Sequence, residues 1–116
     1  MGIELYEEML PGGIRKLTIT GTLDAPGAMS IEDNFQAHMS HSSDHIIVDL
    51  SQVEYMSSYG LRMLLTAAKA LYTGGGGLHL AGPNEHVMKV ISVAGYDTMF
   101  PVYESVEEAL TLLGKS

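Results

Sequence analysis

Two adjacent hydroxyl groups offer the most chemistry in this chain. Ser57 and Ser58 lie in Tyr55-Met56-Ser57-Ser58-Tyr59-Gly60, between the apolar run Ile46-Ile47-Val48 and a spaced set of apolar residues that begins at Leu61. Consecutive apolar side chains suit a strand covered on both faces. Leu61, Leu64, Leu65, Ala68, Leu71 and Tyr72 recur at the spacing of one helix face. The serines therefore stand where a buried strand hands over to a helix N-terminus. Unpaired N–H groups and the positive end of the helix dipole collect at such a point. A serine there can be an N-cap, an anion site, a nucleophile or a phosphorylation acceptor, and local physics leaves all four open.

The remaining candidates are weaker. A serine nucleophile on a strand-to-helix turn needs G-x-S-x-G, which the residues around Ser58 do not supply, and no sequence feature ties a histidine to it. His38, His41 and His45 form H-x-x-H-x-x-x-H, a spacing that resembles metal ligation. That run passes into the polar stretch Ser40 to Asp44 and has no matched carboxylate motif, so loop histidines without a metal are expected. His79 and His86 stand isolated. Gly74 to Gly77 lack the Lys-Ser/Thr pair of a phosphate loop and read as a helix-to-strand connection with a glycine C-cap. Asp24 suits an Asx turn or a helix cap. Met63 and Met88 suit core filling or a partner-facing surface.

The elements that must position these groups can be read in order. Ile3 to Glu7 alternates as an edge strand, Pro11-Gly12-Gly13 turns the chain, and Arg15 to Thr20 alternates back, which predicts a hairpin. Ala28, Ile31, Phe35 and Met39 predict a helix with Pro26 in its first turn. The central strand and the Ser58 helix follow, then a short strand, Leu78 to Ala81. Asn84 is a candidate N-cap for a third helix with Val87, Ile91 and Ala94 inward and Gly95 as its stop. Met99 to Tyr103 predicts a last strand, and Ser105-Val106-Glu107-Glu108 is a capping box opening a helix through Leu113. The order ββαβαβαβα implies an α/β fold with a mixed β-sheet, largely parallel, joined by right-handed crossovers.

The string Val53-x-Tyr55-Met56-Ser57-Ser58-Tyr59-Gly60-Leu61-Arg62-x-Leu64-Leu65 follows Val48-Asp49-Leu50-Ser51 and, further upstream, Gly21-Thr22-Leu23-Asp24. Together these segments resemble the signature of STAS domains, in particular the stand-alone anti-sigma-factor antagonists. The resemblance implies a single STAS domain over residues 1–116 with no cofactor and no catalysis of its own. It implies a role in bacterial partner switching, in which the unphosphorylated form binds an anti-sigma factor with serine/threonine kinase activity. That kinase would use ATP and Mg²⁺ of its own to phosphorylate the serine two residues before the Gly-Leu pair, here Ser58, with Ser57 the alternative. A serine phosphatase would reset the switch. Asp24, Ser57, Ser58, Tyr59 and Arg62 map to the partner-binding surface. This chain departs from the pattern at Ser57, where many members carry aspartate, and at Tyr59, where a small residue is common. Other readings are a STAS scaffold that is never phosphorylated, a subunit of a signalling or lipid-transport complex, and a weak serine hydrolase using Ser58.

Composition narrows the field. A chain of 116 residues makes one domain, large enough for a core of its own. The absence of cysteine removes disulfides, thiol catalysis and cysteine-ligated zinc. A formal charge of -8 opposes nucleic acid and anionic membrane surfaces and favours a basic protein partner. No span or secretory signal is recognisable, so a cytoplasmic location is expected.

Overall fold

The computed structural model describes residues 2–39 and 45–114. The elements are β1 (Glu4–Met9), β2 (Arg15–Leu23), α1 (Ala25–Met39), β3 (His45–Met56), α2 (Ser58–Thr73), β4 (Gly77–Ala81), α3 (Glu85–Val93), β5 (Val102–Tyr103) and α4 (Val106–Gly114), with 3-10 turns at Pro11–Gly13 and Tyr96–Thr98. The expected order ββαβαβαβα holds. The five strands form one mixed sheet in chain order, β1-β2-β3-β4-β5, with β1 antiparallel to β2 and the other pairs parallel.

Strand β3 sits at the centre because its side chains are apolar on both faces. Ile46, Ile47, Val48 and Leu50 are fully buried. Ile46, Val48 and Leu50 join Leu17, Ile19 and Leu80 of neighbouring strands in a core closed by Phe35 of α1, Leu61 and Leu64 of α2, and Val87 and Ile91 of α3. Ile47 faces the other way and packs with Ala81 and with Ala109 of α4 in a smaller cluster. Three helices thus cover one face of the sheet and α4 covers the other. No helix among the described residues is long and apolar enough to cross a membrane.

Helix α2 buries the stripe its leucines predict, widened on one side and without its last residue. Leu61, Leu64 and Leu71 are buried as expected, and Leu65 and Ala68 are half-buried. Met63 and Ala67 complete the inner face, whereas Tyr72 is 82% exposed. Met63 is therefore a core residue. Its C-terminus closes in a Schellman arrangement: Gly76 N–H reaches Leu71 O at 2.8 Å and Gly75 N–H reaches Tyr72 O at 3.0 Å. Gly75 takes φ +93°, which explains the glycine run as a helix stop.

Two other expectations shift. The last strand is only Val102–Tyr103, because Met99 and Phe100 turn their N–H groups back to Tyr96 O and Pro101 has none to offer. Ala94 is exposed at the end of α3, one residue before left-handed Gly95, and contributes nothing to the inward face. The capping residues behave as expected. Asn84 Oδ1 accepts from Val87 N at 2.8 Å and Ser105 Oγ from Glu108 N at 3.0 Å. The Glu108 carboxylate returns to Glu104 N at 3.0 Å, one residue earlier than a reciprocal box would place it.

Candidate functional site

The two serines divide the available roles. Ser57 has extended backbone angles (φ -89°, ψ 169°) and is the N-cap of α2. Its Oγ accepts from Gly60 N at 3.2 Å and donates to Leu23 O at 2.8 Å, and its own N–H reaches the same carbonyl at 2.9 Å. The Ser57 hydroxyl is thereby committed as donor and acceptor, tying the end of β2 to the start of α2. Ser58 is the next residue and the first of the helix. It is exposed, and its hydroxyl makes no hydrogen bond to another described residue.

The upstream Gly-Thr-Leu-Asp segment meets this junction in space. A β-carbon at Gly60 would lie 2.9 Å from Leu23 O and 3.1 Å from Leu23 Cβ, so only glycine allows α2 to start this close to β2. Asp24, the next residue, caps α1 by accepting from Gly27 N at 2.8 Å. The cap alternative for Asp24 is the one that holds, and the two helix starts lie side by side.

Tyr59 is half-buried and donates its phenol to Glu32 Oε1 on α1 at 2.6 Å. That bond, with burial and the Glu32 charge, raises the phenol above its usual range. Tyr59 therefore braces α2 on α1, which accounts physically for an aromatic at this position. Arg62 is exposed one turn beyond Ser58. Asp24, Ser57, Ser58, Tyr59 and Arg62 all belong to this one junction.

Residues that sequence reasoning passed over complete the surroundings. A groove of about 480 Å³ is lined by Ser58 and Leu61 of α2 and by His86, Lys89, Val90, Val93 and Ala94 of α3. His86 stacks on Tyr55 with ring centroids 5.1 Å apart and an interplanar angle of 17°. The i, i+3 spacing of His86 and Lys89 puts both on one side of α3, a signal present in the sequence once α3 has its cap. What brings α3 against α2 is the core, which no local pattern announces.

The three histidines of the apparent metal spacing part company. His38 Nδ1 lies 3.4 Å from Glu7 Oε2. His45 Nδ1 is 3.0 Å from His79 Nε2, and His79 Nδ1 is 3.2 Å from Tyr103 Oη. His41 lies outside the described residues. No three His, Asp or Glu side chains converge on a metal position among the described residues. His79 is only 6% exposed, and burial together with the neighbouring His45 lowers its pKa to about 4.

The family described as STAS domain matches residues 10–109. A Bordetella bronchiseptica protein named "Putative anti-sigma factor antagonist BtrV" is 32% identical over 91 residues, 78% of each chain. The crystal structure of an anti-sigma factor antagonist from Mycobacterium paratuberculosis has TM-score 0.85 and 26% identity, with 96% of this chain and 93% of that one covered. The anti-sigma factor antagonist SpoIIAA, solved in its unphosphorylated form, shares the fold with TM-score 0.77 at 19% identity, over 97% of this chain and 98% of that one.

Proposed function

The chain belongs to the STAS domain family, and from that premise we propose that it is an anti-sigma-factor antagonist working by partner switching. In its unphosphorylated form it binds an anti-sigma factor that is also a serine/threonine kinase, in the cytoplasm. The kinase transfers the γ-phosphoryl group of ATP to Ser58 Oγ, releasing ADP, while the hydroxyl proton passes to a base of the kinase. A serine phosphatase reverses the step. ATP and Mg²⁺ belong to the partner, and the 116-residue domain itself performs no catalysis. The names of two relatives, one 32% and one 26% identical, support the antagonist class.

The observation that carries the acceptor assignment is the split between the serines. Ser57 is committed to Gly60 N and Leu23 O, whereas Ser58, one residue on, is exposed and bonds no other described residue through its hydroxyl. Phosphate adds roughly -1.5 to -2 charges, which the first turn of a helix tolerates. The fold can therefore survive a modification that a docked partner cannot. A dianion pressed against an apolar or acidic contact loses solvation without gaining a cation. A penalty of about 3 kcal/mol weakens binding more than a hundredfold.

The test is to incubate the protein with an anti-sigma factor of serine/threonine kinase activity and ATP, then locate phosphate by mass spectrometry. Label on Ser58 alone is the expected result. Label on Ser57, or no label with binding intact, moves the unphosphorylated scaffold ahead.

A further inference from the structure

We propose that phosphate on Ser58 is received inside the same molecule by Lys89 and His86 of α3, so that it bridges and covers the groove between α2 and α3. The inference rests on reading Ser58 as the acceptor, and it concerns what the phosphate does once there.

Three observations carry it. Ser58 and the pair His86 and Lys89 line the same groove from different helices. Lys89 makes no ion pair among the described residues, although acidic residues outnumber Lys and Arg by 14 to 6 in the chain. Arg15 and Lys16, by contrast, are each held by a glutamate on β1, Glu7 and Glu8. Finally, the His86 ring lines the groove while stacked on Tyr55, which limits its freedom.

The chemistry is complementary. A phosphoserine dianion presents three strong acceptor oxygens; the Lys89 ammonium bonds them with charge assistance, and the His86 imidazole offers an N–H donor. The other acidic, basic and histidine side chains on the elements framing the groove are Arg62 and Lys69 on α2, Glu85 on α3, and Asp49, Glu54 and His45 on β3. Beneath the bridge lie Leu61, Val90 and Val93, the last 79% exposed in the absence of phosphate. Phosphorylation then does two things at once. It adds charge at the helix start, and it withdraws an apolar surface that a partner would otherwise cover.

The test installs phosphoserine at position 58 during translation, so that no kinase is needed. The phosphate is followed against pH by ³¹P NMR, and the α3 amides by ¹⁵N–¹H correlation spectra. The second phosphate pKa, ordinarily about 6, is expected to lie lower by about half a unit or more than in a Lys89→Met, His86→Asn variant. Val90 and Val93 amides should shift on phosphorylation in the parent and stay put in the variant. Lys89→Gln alone should give an intermediate titration, and unphosphorylated spectra of all three verify that each is folded. Identical titrations with unmoved α3 amides would leave the phosphate in solvent and overturn the inference. The two readings fail separately: a kinase that ignores Ser58 removes the switch but not the bridge. A kinase that labels Ser58 while α3 stays silent removes the bridge but not the switch.

Discussion

Ser57→Ala isolates the cap from the switch. The substitution removes the acceptor for Gly60 N at 3.2 Å and the donor to Leu23 O at 2.8 Å. Loss of a serine N-cap costs about 1 kcal/mol, in a range of roughly 0.5–2. The lost bond to Leu23 O adds about 0.5–1 kcal/mol, at the low end because that carbonyl keeps the Ser57 N–H at 2.9 Å. The expected total is about 1.5–2 kcal/mol. At about 3–6 °C per kcal/mol for a domain of this size, Tm falls by about 5–12 °C. Ser58→Ala deletes an exposed hydroxyl with no partner among the described residues and should change stability by less than about 0.5 kcal/mol. Ser57→Asp restores the acceptor but sets a carboxylate against Leu23 O, so it should fall between wild type and alanine. Urea titrations followed by circular dichroism at pH 7, with thermal melts alongside, give the ordering. If Ser58→Ala destabilises as much as Ser57→Ala, or if Ser57→Ala is silent, the division of roles between the two serines is wrong.

Ser58→Asp should remain folded yet bind the anti-sigma partner at least tenfold more weakly, while Ser58→Ala binds and cannot be switched off; calorimetric titration of both variants checks this. Leu64→Ala empties a fully buried position and should cost about 2–5 kcal/mol by denaturant unfolding. His79 carries a pH signature: its folded pKa of about 4 lies below the ordinary 6.5, so the unfolded chain takes up the extra proton between those values. Its contribution is complete above about pH 6.5 and disappears as pH falls toward 4, amounting to at most about 3 kcal/mol. His79→Gln, which does not titrate, should flatten the Tm-against-pH curve across that window, and an unchanged slope would refute the assignment.

Most of the architecture is legible in the chain because its signals are local. The apolar run Ile46 to Val48, the Asn84 and Ser105 caps and the glycine stops each act within a few residues, and the folded elements begin and end near them. The failures are tertiary. Met63 and Ala67 displace Tyr72 from the inner face of α2 because the position of α1 and the sheet, not residue type, decides which stripe is covered. Met99 and Phe100 look like strand residues until Pro101 and Tyr96 O remove their ladder bonds. At the site, the serine pair is visible in sequence but its division is not, since Ser57 is singled out by a carbonyl 34 residues away. Glu32 opposite Tyr59, and His86 with Lys89 across the groove, are likewise brought there by packing alone.

Because strand order along the sheet is chain order, no strand has to be inserted between two that already exist. Each new strand adds to the free edge left by the one before it, so a chain emerging from the ribosome can build the sheet from β1 outward. The arrangement keeps partners close in sequence, which favours fast folding for a domain with parallel strands. It also creates one exposed moment. Helices α1, α2 and α3 come in along the way and close the first face, but the second face waits for α4. Until α4 arrives, Ile47 and Ala81 form a bare apolar back on a nearly finished sheet. That unfinished species is the one expected to aggregate during synthesis or to engage chaperones.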